Sequence, residues 1–377
     1  MIYLDNAATS FPKPFSVRKA AREIVEIPLG NPGRSGHALS LKSADIVFEA
    51  REAIARLVGS RRPENVVLTS GATAALNIAI LGTVAALRKR IPRPLVVTSV
   101  FEHNSVLRPL YFLENAGLCA LKILSPDRSG SFPLRELLSP PPDLFVLTCR
   151  SNLTGRTFPL KELSHMVKRY GATVISDAAQ GLGDGDFTFS STGADMLCGA
   201  GHKGLFGLMG AGFLAVSEHS AVLPEAIFSG GSGADSFHSF MPEILPERLE
   251  AGTLPVPAIA AMAKGAEFVF KEGKEIHRIK KQNKKRLTEG ILSLKNYIVY
   301  EPEFDSGPLL INHRTLSPEE IAKRLSQNDV YVRQGFHCAP LAHRFLGTEN
   351  QGAVRLSPGP FNTVREMDQV VGLLADI

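Results

Sequence analysis

The sequence predicts an α/β protein, a large domain on a mainly parallel sheet followed by a smaller α+β domain. Three observations carry this. Short strand-like apolar runs alternate with runs at helical spacing through the first two thirds of the 377 residues. The strand-like runs are nearly all apolar instead of alternating, as in strands covered on both faces. Two prolines in 252-GTLPVPA-258 precede a long helical stretch, and the pattern changes after it.

In order, the large domain reads as a strand at 66-VVLT-69 and a helix near 73–88. The apolar part of that helix, 74-AALNIAILGTVAAL-87, contains Asn77 and Thr83 and is too short to span a bilayer, so it reads as buried. A strand at 95-LVVTSV-100, a helix near 104–116, a strand at 144-LFVLT-148, a helix near 160–170 and a strand at 173-TVIS-176 follow. The next strand, 211-AGFLAV-216, comes after a glycine-rich turn that leaves its direction open. The smaller domain reads as the long helix, a strand at 308-PLLIN-312, a helix at 317–328, a strand at 329-DVYVR-333 and a helix near 363–375. The expected division is 15–255 for the large domain, and 1–14 with 256–377 for the small one.

Composition narrows the function classes. Apolar residues make up 44%, enough for a sizeable core. A net charge of +5 suits anionic ligands, but no basic stripe is interleaved with aromatics, so nucleic acid is not expected. The basic run 271-KEGKEIHRIKKQNKKR-286 reads as the solvated face of the long helix. The four cysteines, Cys119, Cys149, Cys198 and Cys338, show no metal-ligand spacing and suit a reducing, cytoplasmic setting. The start, MIYLDNAATS, has no basic region before an apolar stretch, so no secretory signal and no membrane anchor are expected.

Ligands of open α/β sheets bind beyond the carboxyl ends of the strands. The groups that follow the strands are Ser70-Gly71-Ala72-Thr73, Glu102-His103-Asn104, Ser151-Asn152, Asp177 with Gln180, and His202-Lys203. Each has a plain explanation when taken alone. Thr73 could be a helix cap, His103 a loop histidine, Asp177 a salt-bridged carboxylate, and Lys203 part of a glycine turn. Five in succession suggest one crevice. Small residues at 71–73 opening a helix suit a phosphate; no Walker motif occurs, and no G-x-G-x-x-G lies between a strand and a helix to suggest a dinucleotide. A carboxylate ending an apolar strand needs a cation or donors, and a protonated ring nitrogen supplies both. His103 could stack on a flat ring. The Lys203 amine could form a Schiff base with an aldehyde. Together these match the needs of pyridoxal 5′-phosphate. Gly201 and Gly204 would let the backbone approach it.

Beyond these residues, the chain resembles the cysteine desulfurases of the class V aminotransferases nearly end to end. The matching segments are 2-IYLDNAATSFPKP-14, 69-TSGATAALN-77, 102-EHNS-105, 176-SDAAQ-180, 201-GHKG-204, 250-EAGT-253, 333-RQGFHCAPL-341 and 355-RLSPGPFNT-363. The context of Cys338 is similar to the short-loop branch. The resemblance implies a fold-type I pyridoxal phosphate enzyme that converts L-cysteine to L-alanine, leaves a persulfide on Cys338 and passes the sulfur to an acceptor protein. It implies Lys203 as Schiff-base lysine and base at Cα, His103 on the ring, Asp177 at the ring nitrogen and Gln180 at the ring hydroxyl. Ala72, Thr73 and His202 would hold the phosphate. Thr253 would reach the phosphate of a second subunit in a homodimer. Asn152 and Arg355 would hold the substrate carboxylate, a task that suits the planar fork of arginine. Arg333, Gly335 and His337 surround Cys338, and positive charge there favours a nucleophilic thiolate. The other three cysteines lie in or beside apolar runs and are expected to be inert. Two departures stand out. Ala200 occupies a place where many relatives carry a serine, and Leu208-Met209 one where Pro-Gln is frequent. The alternatives are a selenocysteine lyase or another class V lyase or transaminase, and a weakly active paralogue that carries sulfur or regulates a partner.

Overall fold

A computed structural model describes residues 1–377 except 34, 128, 186, 235, 304 and 305. Seven strands form the main sheet, in the order Val66–Thr69, Gly212–Val216, Met196–Ala200, Thr173–Asp177, Leu144–Thr148, Leu95–Ser99, Ala120–Leu124. Gly212–Val216 is antiparallel to both its neighbours, and the other pairings are parallel. Successive side chains of a strand point to opposite faces. Val66 and Leu68 therefore join one core with Phe145, Leu147 and Met262. Val67 joins the other, with Leu76, Ile80 and Val146. The apolar helix Ala72–Leu87 lies in the second core, as its composition requires.

Two strands of the main sheet escape the apolar-run criterion. Ala120–Leu124 is an edge strand that carries Lys122 and is mostly half-buried, so its pattern is diluted. Met196–Ala200 ends in Gly199-Ala200, which read as part of a turn. The helices Phe15–Glu26 and Ala38–Val58 also precede the first expected element. The expected strand at 329–333 divides in two. Val330–Tyr331 pairs in parallel with Ile2–Tyr3, and Arg333–Gly335 pairs antiparallel with Ala353–Leu356. The second sheet is antiparallel, in the order Arg333–Gly335, Ala353–Leu356, Leu309–His313, Tyr297–Tyr300.

The helix Val256–Leu292 has 37 residues, which at 1.5 Å per residue is about 55 Å. Its first half packs through Ile259, Met262 and Ala266 onto the main sheet. Its end packs through Leu287 and Ile291 beneath the second sheet. One rod therefore fixes both sheets. The basic run on this helix is not wholly solvated. Lys284 is buried and donates to Thr154 O at 2.7 Å and Ser306 O at 3.3 Å. Lys280 pairs with Asp184 at 2.6 Å. A buried Arg156–Glu301 ion pair spans the same seam. There Gly155 has φ +80°, and a β-carbon on it would stand 2.1 Å from Ser306 O, so the two backbones touch.

Candidate active site

The parallel strands end along one edge, and the chain segments leaving them line one cavity of about 240 Å³. All five strand-end groups reach it: Thr73, His103, Asn152, Asp177 with Gln180, and His202-Lys203. Lys203 follows Met196–Ala200, and Asp177 closes the adjacent parallel strand, so sheet register sets them near each other. Burial lowers the pKa of Lys203, and the charge of Asp177 opposes that shift. Burial raises the pKa of Asp177, and Lys203 together with the Ala179 N–H, 2.9 Å from Oδ1, opposes it. Each group is thus pushed toward its neutral form and drawn back by the other.

The glycines beside Lys203 serve an end other than the expected one. A β-carbon on Gly204 would lie 1.7 Å from Leu182 O. The loop needs glycine because it packs against its own chain. The turn is also pinned from the N-terminal segment. His202 O accepts from Ser10 N, Thr9 Oγ1, Ser10 Oγ and Lys13 Nζ at 3.1–3.2 Å. Burial brings the Lys13 amine down to about 8.

His103 caps the helix Asn104–Asn115, and its Nδ1 accepts from Ser105 N at 3.0 Å. In the neutral ring the proton therefore sits on Nε2. Ser105 Oγ lies 2.9 Å from the same Nδ1 and 2.8 Å from Thr73 Oγ1, which joins histidine to threonine. Burial, then the charges of Lys203, Arg333, Arg355 and Arg108, bring the imidazole down to about 4. At the sequence level Ser105 stood only as the last residue of the matching segment 102-EHNS-105, with no role attached to it.

Glu102 is the second carboxyl at these strand ends. Its Oε1 accepts from Ser99 Oγ at 2.6 Å and Thr148 N at 3.0 Å, and Oε2 has no partner among the described residues. Burial raises its pKa from 4.5 to about 8. Between those values the folded chain holds a proton that the unfolded chain has lost. Its stabilising contribution is complete below pH 4.5 and is lost as pH rises through about 8. Replacing Glu102 with Gln is expected to raise the melting temperature relative to the parent by an increment that grows from about pH 4.5 to about pH 8 and then levels off. Parallel curves of melting temperature against pH would show that Glu102 does not carry this dependence.

Arg355 is buried and already engaged. It donates to Asp5 Oδ1 at 2.9 Å and to Asn152 O at 3.0 Å, and its Nε has no partner among the described residues. Its cross-strand partner is Arg333. Like charges placed directly opposite repel, and the Asp5 carboxylate offsets this. Asn152 donates to His337 O at 2.8 Å. Gln180 donates to Ala7 O at 2.9 Å.

Cys338 lies outside the cavity, on an adjoining pocket of about 450 Å³ that shares Thr73, His103 and Ser105 with it. It is exposed, whereas Cys119, Cys149 and Cys198 are buried. Burial pushes the Cys119 thiol up to about 11, and raises Cys149 and Cys198 as well. His337 and Cys338 have φ of 50° and 56°, a left-handed backbone that costs about 1–2 kcal/mol per non-glycine residue. The Cys338 sulfur is 4.0 Å from an Arg333 guanidinium nitrogen. Thr253 is not brought to the cavity. It is exposed, 3.4 Å from Asn31 Nδ2.

The residues present fit pyridoxal phosphate. The helix Ala72–Leu87 opens on Gly71, which supplies no side-chain cap, so its first N–H groups face the cavity beside Thr73. The buried His202 Nδ1 has no partner among the described residues. An amine and a buried carboxylate complete the donor set, and Ala200 lines the wall between them.

The profile of the Aminotransferase class-V family matches residues 2–370. A probable cysteine desulfurase of Pyrococcus abyssi (strain GE5 / Orsay) is 30% identical over 388 residues, covering 100% of this chain and 94% of that protein. Cysteine desulfurase IscS of Dictyoglomus turgidum is 28% identical over 391 residues, with the same coverage. The apo structure of cysteine desulfurase from Thermococcus onnurineus NA1 superposes with a TM-score of 0.90 at 28% identity, covering 100% of this chain and 94% of that one.

Proposed function

Because the chain belongs to the class-V aminotransferase family, we propose that it is a pyridoxal phosphate-dependent cysteine desulfurase that leaves the sulfur of L-cysteine as a persulfide on Cys338. The observation that carries this is one cavity holding Lys203, Asp177, His103 and an uncapped helix start, with an exposed thiol on the adjoining pocket.

Bound there, pyridoxal phosphate supplies an aldehyde that captures amines and a ring that accepts the electrons left by a departing proton. Thr73, His202 and the N–H groups at Ala72 and Thr73 hold its phosphate. Asp177 would pair with the ring nitrogen, Gln180 with the ring hydroxyl, and His103 would stack on the ring. Arg355 and Asn152 orient the substrate carboxylate, Arg355 through its unpartnered Nε edge. Lys203 Nζ, whose pKa is lowered by burial, removes the proton from the substrate Cα and returns one during turnover. The Cys338 thiolate attacks the substrate sulfur. A sulfur–sulfur bond forms, the substrate Cβ–S bond breaks, and the carbon skeleton leaves as L-alanine. Sulfur, the thiol proton and electrons are conserved between cysteine plus thiol and alanine plus persulfide.

The large unit is assigned to 15–255 and the small one to 1–14 with 256–377, since the main sheet lies wholly within 66–216. The exposed Thr253 suits contact with the phosphate site of a second copy, hence a homodimer. No described helix is long and apolar enough to cross a membrane, and free thiols suit the cytoplasm. The persulfide passes to an acceptor protein.

The test is one assay. Purified holoenzyme receives L-cysteine or L-selenocysteine, and alanine, sulfide or selenide, and persulfide on Cys338 are measured. Alanine and Cys338 persulfide in step are expected from L-cysteine. Release of selenide alone would replace the desulfurase reading with selenocysteine lyase. Bound cofactor without any turnover would replace it with a sulfur-carrying or regulatory role.

A further inference from the structure

The turn that carries Cys338 holds two left-handed residues in succession, His337 and Cys338, so something must hold it there. Three contacts do. Asn104 N donates to Cys338 O at 2.8 Å, and Asn152 Nδ2 donates to His337 O at 2.8 Å. The third is a chain of side chains that the catalytic reading does not use. His337 Nε2 lies 3.1 Å from Arg333 O, and its Nδ1 lies 3.3 Å from His343 Nε2. His343 Nδ1 lies 2.7 Å from Thr348 Oγ1. The two imidazoles stack at 5.5 Å with 12° between planes, and both are buried.

The proton positions in this chain follow from one fact. Arg333 O can only accept, so His337 carries its proton on Nε2. A neutral His337 then accepts at Nδ1, so His343 donates from Nε2. His343 in turn accepts at Nδ1, so the Thr348 hydroxyl donates. Burial supports this by bringing His337 down to about 2 and His343 to about 4, which keeps both rings neutral. Thr348 N also donates to His343 O at 2.8 Å, which fixes the far end of the chain.

We propose that His343 is a positioning residue for sulfur transfer: directed by Thr348, it holds His337 and thereby the left-handed turn that presents the Cys338 thiol. It touches neither cofactor nor substrate. The inference rests on Cys338 being the sulfur acceptor. It separates two steps that a general loss of structure would not separate. Removal of the Cα proton needs Lys203 and not this turn, whereas cleavage of the Cβ–S bond needs the thiol in place.

The test uses holoenzyme with His343→Leu, His343→Gln and Thr348→Val. Each is assayed for alanine formation from L-cysteine and for exchange of the Cα proton of L-alanine in deuterated water. His343→Leu is expected to lower kcat for desulfuration about 10-fold, equivalent to about 1.4 kcal/mol, with unchanged Cα exchange. KM for cysteine is expected to stay within about two-fold, since His343 touches no substrate and the turn it holds is needed only for the sulfur step. His343→Gln keeps an N–H donor and should recover most of the loss. Thr348→Val should give a smaller fall of about three-fold in the same step. Equal falls in exchange and desulfuration, or an unchanged kcat in His343→Leu, would overturn the proposal. If His343→Leu does not fold, Thr348→Val decides by the same two readings. A failure of the underlying reading is distinct: Cys338→Ala would then make alanine at the parent rate.

Discussion

Replacing Cys338 with alanine is expected to cut alanine formation from L-cysteine by at least ~100-fold, a barrier increase of about 2.7 kcal/mol, with the cofactor absorption band unchanged. The expectation follows from placement. Of the four cysteines, Cys338 alone is exposed, and it lies on a pocket that shares His103 with the cavity. An Arg333 guanidinium nitrogen lies 4.0 Å from its sulfur. No other described thiol can reach the substrate, because Cys149 is packed in the core on one side of the sheet and Cys119 and Cys198 in the core on the other. The check is parallel measurement of alanine and of sulfur bound to the protein, with Cys338→Ser as the near-isosteric control. Undiminished alanine and protein-bound sulfur in both variants would remove Cys338 from the reaction.

Replacing Lys203 with alanine is expected to act earlier and more completely. Loss of the base alone is worth about 10²–10⁴-fold, and the covalent tether to the cofactor goes with it. The variant should bind pyridoxal phosphate through its phosphate and ring contacts only, so borohydride should fix the cofactor to the parent and not to the variant. Cα exchange and desulfuration should both vanish, unlike the split expected at His343. Borohydride labelling of the variant at the parent level would place the reactive amine elsewhere.

Much of this arrangement could be read from the sequence because strand ends converge by topology. Once 66-VVLT-69, 144-LFVLT-148 and 173-TVIS-176 are parallel strands, the residues after them must share an edge, and Thr73, Asn152 and Asp177 do. What could not be read depends on pairings between distant segments. Asp5 and Arg355 meet across 350 positions, and neither residue signals the other. Nothing in the sequence marks His343, because its partner His337 turns toward it only when the chain is left-handed there. The inward lysines at 280 and 284 were hidden by their charged neighbours. The periodicity of a helix gives its faces but not what backbone carbonyls lie opposite. The glycines around Lys203 were legible as a tight loop, and the Leu182 carbonyl that requires Gly204 was not.

The clasp between Asp5 and Arg355, and the pairing of Ile2–Tyr3 with Val330–Tyr331, set a timetable for the newborn polypeptide. At ribosomal speeds of roughly 5–20 residues per second, the opening segment waits tens of seconds for mates near the far end. The bed beneath the vitamin is assembled early, whereas the arginine that would grip the amino acid emerges among the last residues. A working centre is therefore completed only after Arg355 has been made, well after the residues that line the cavity.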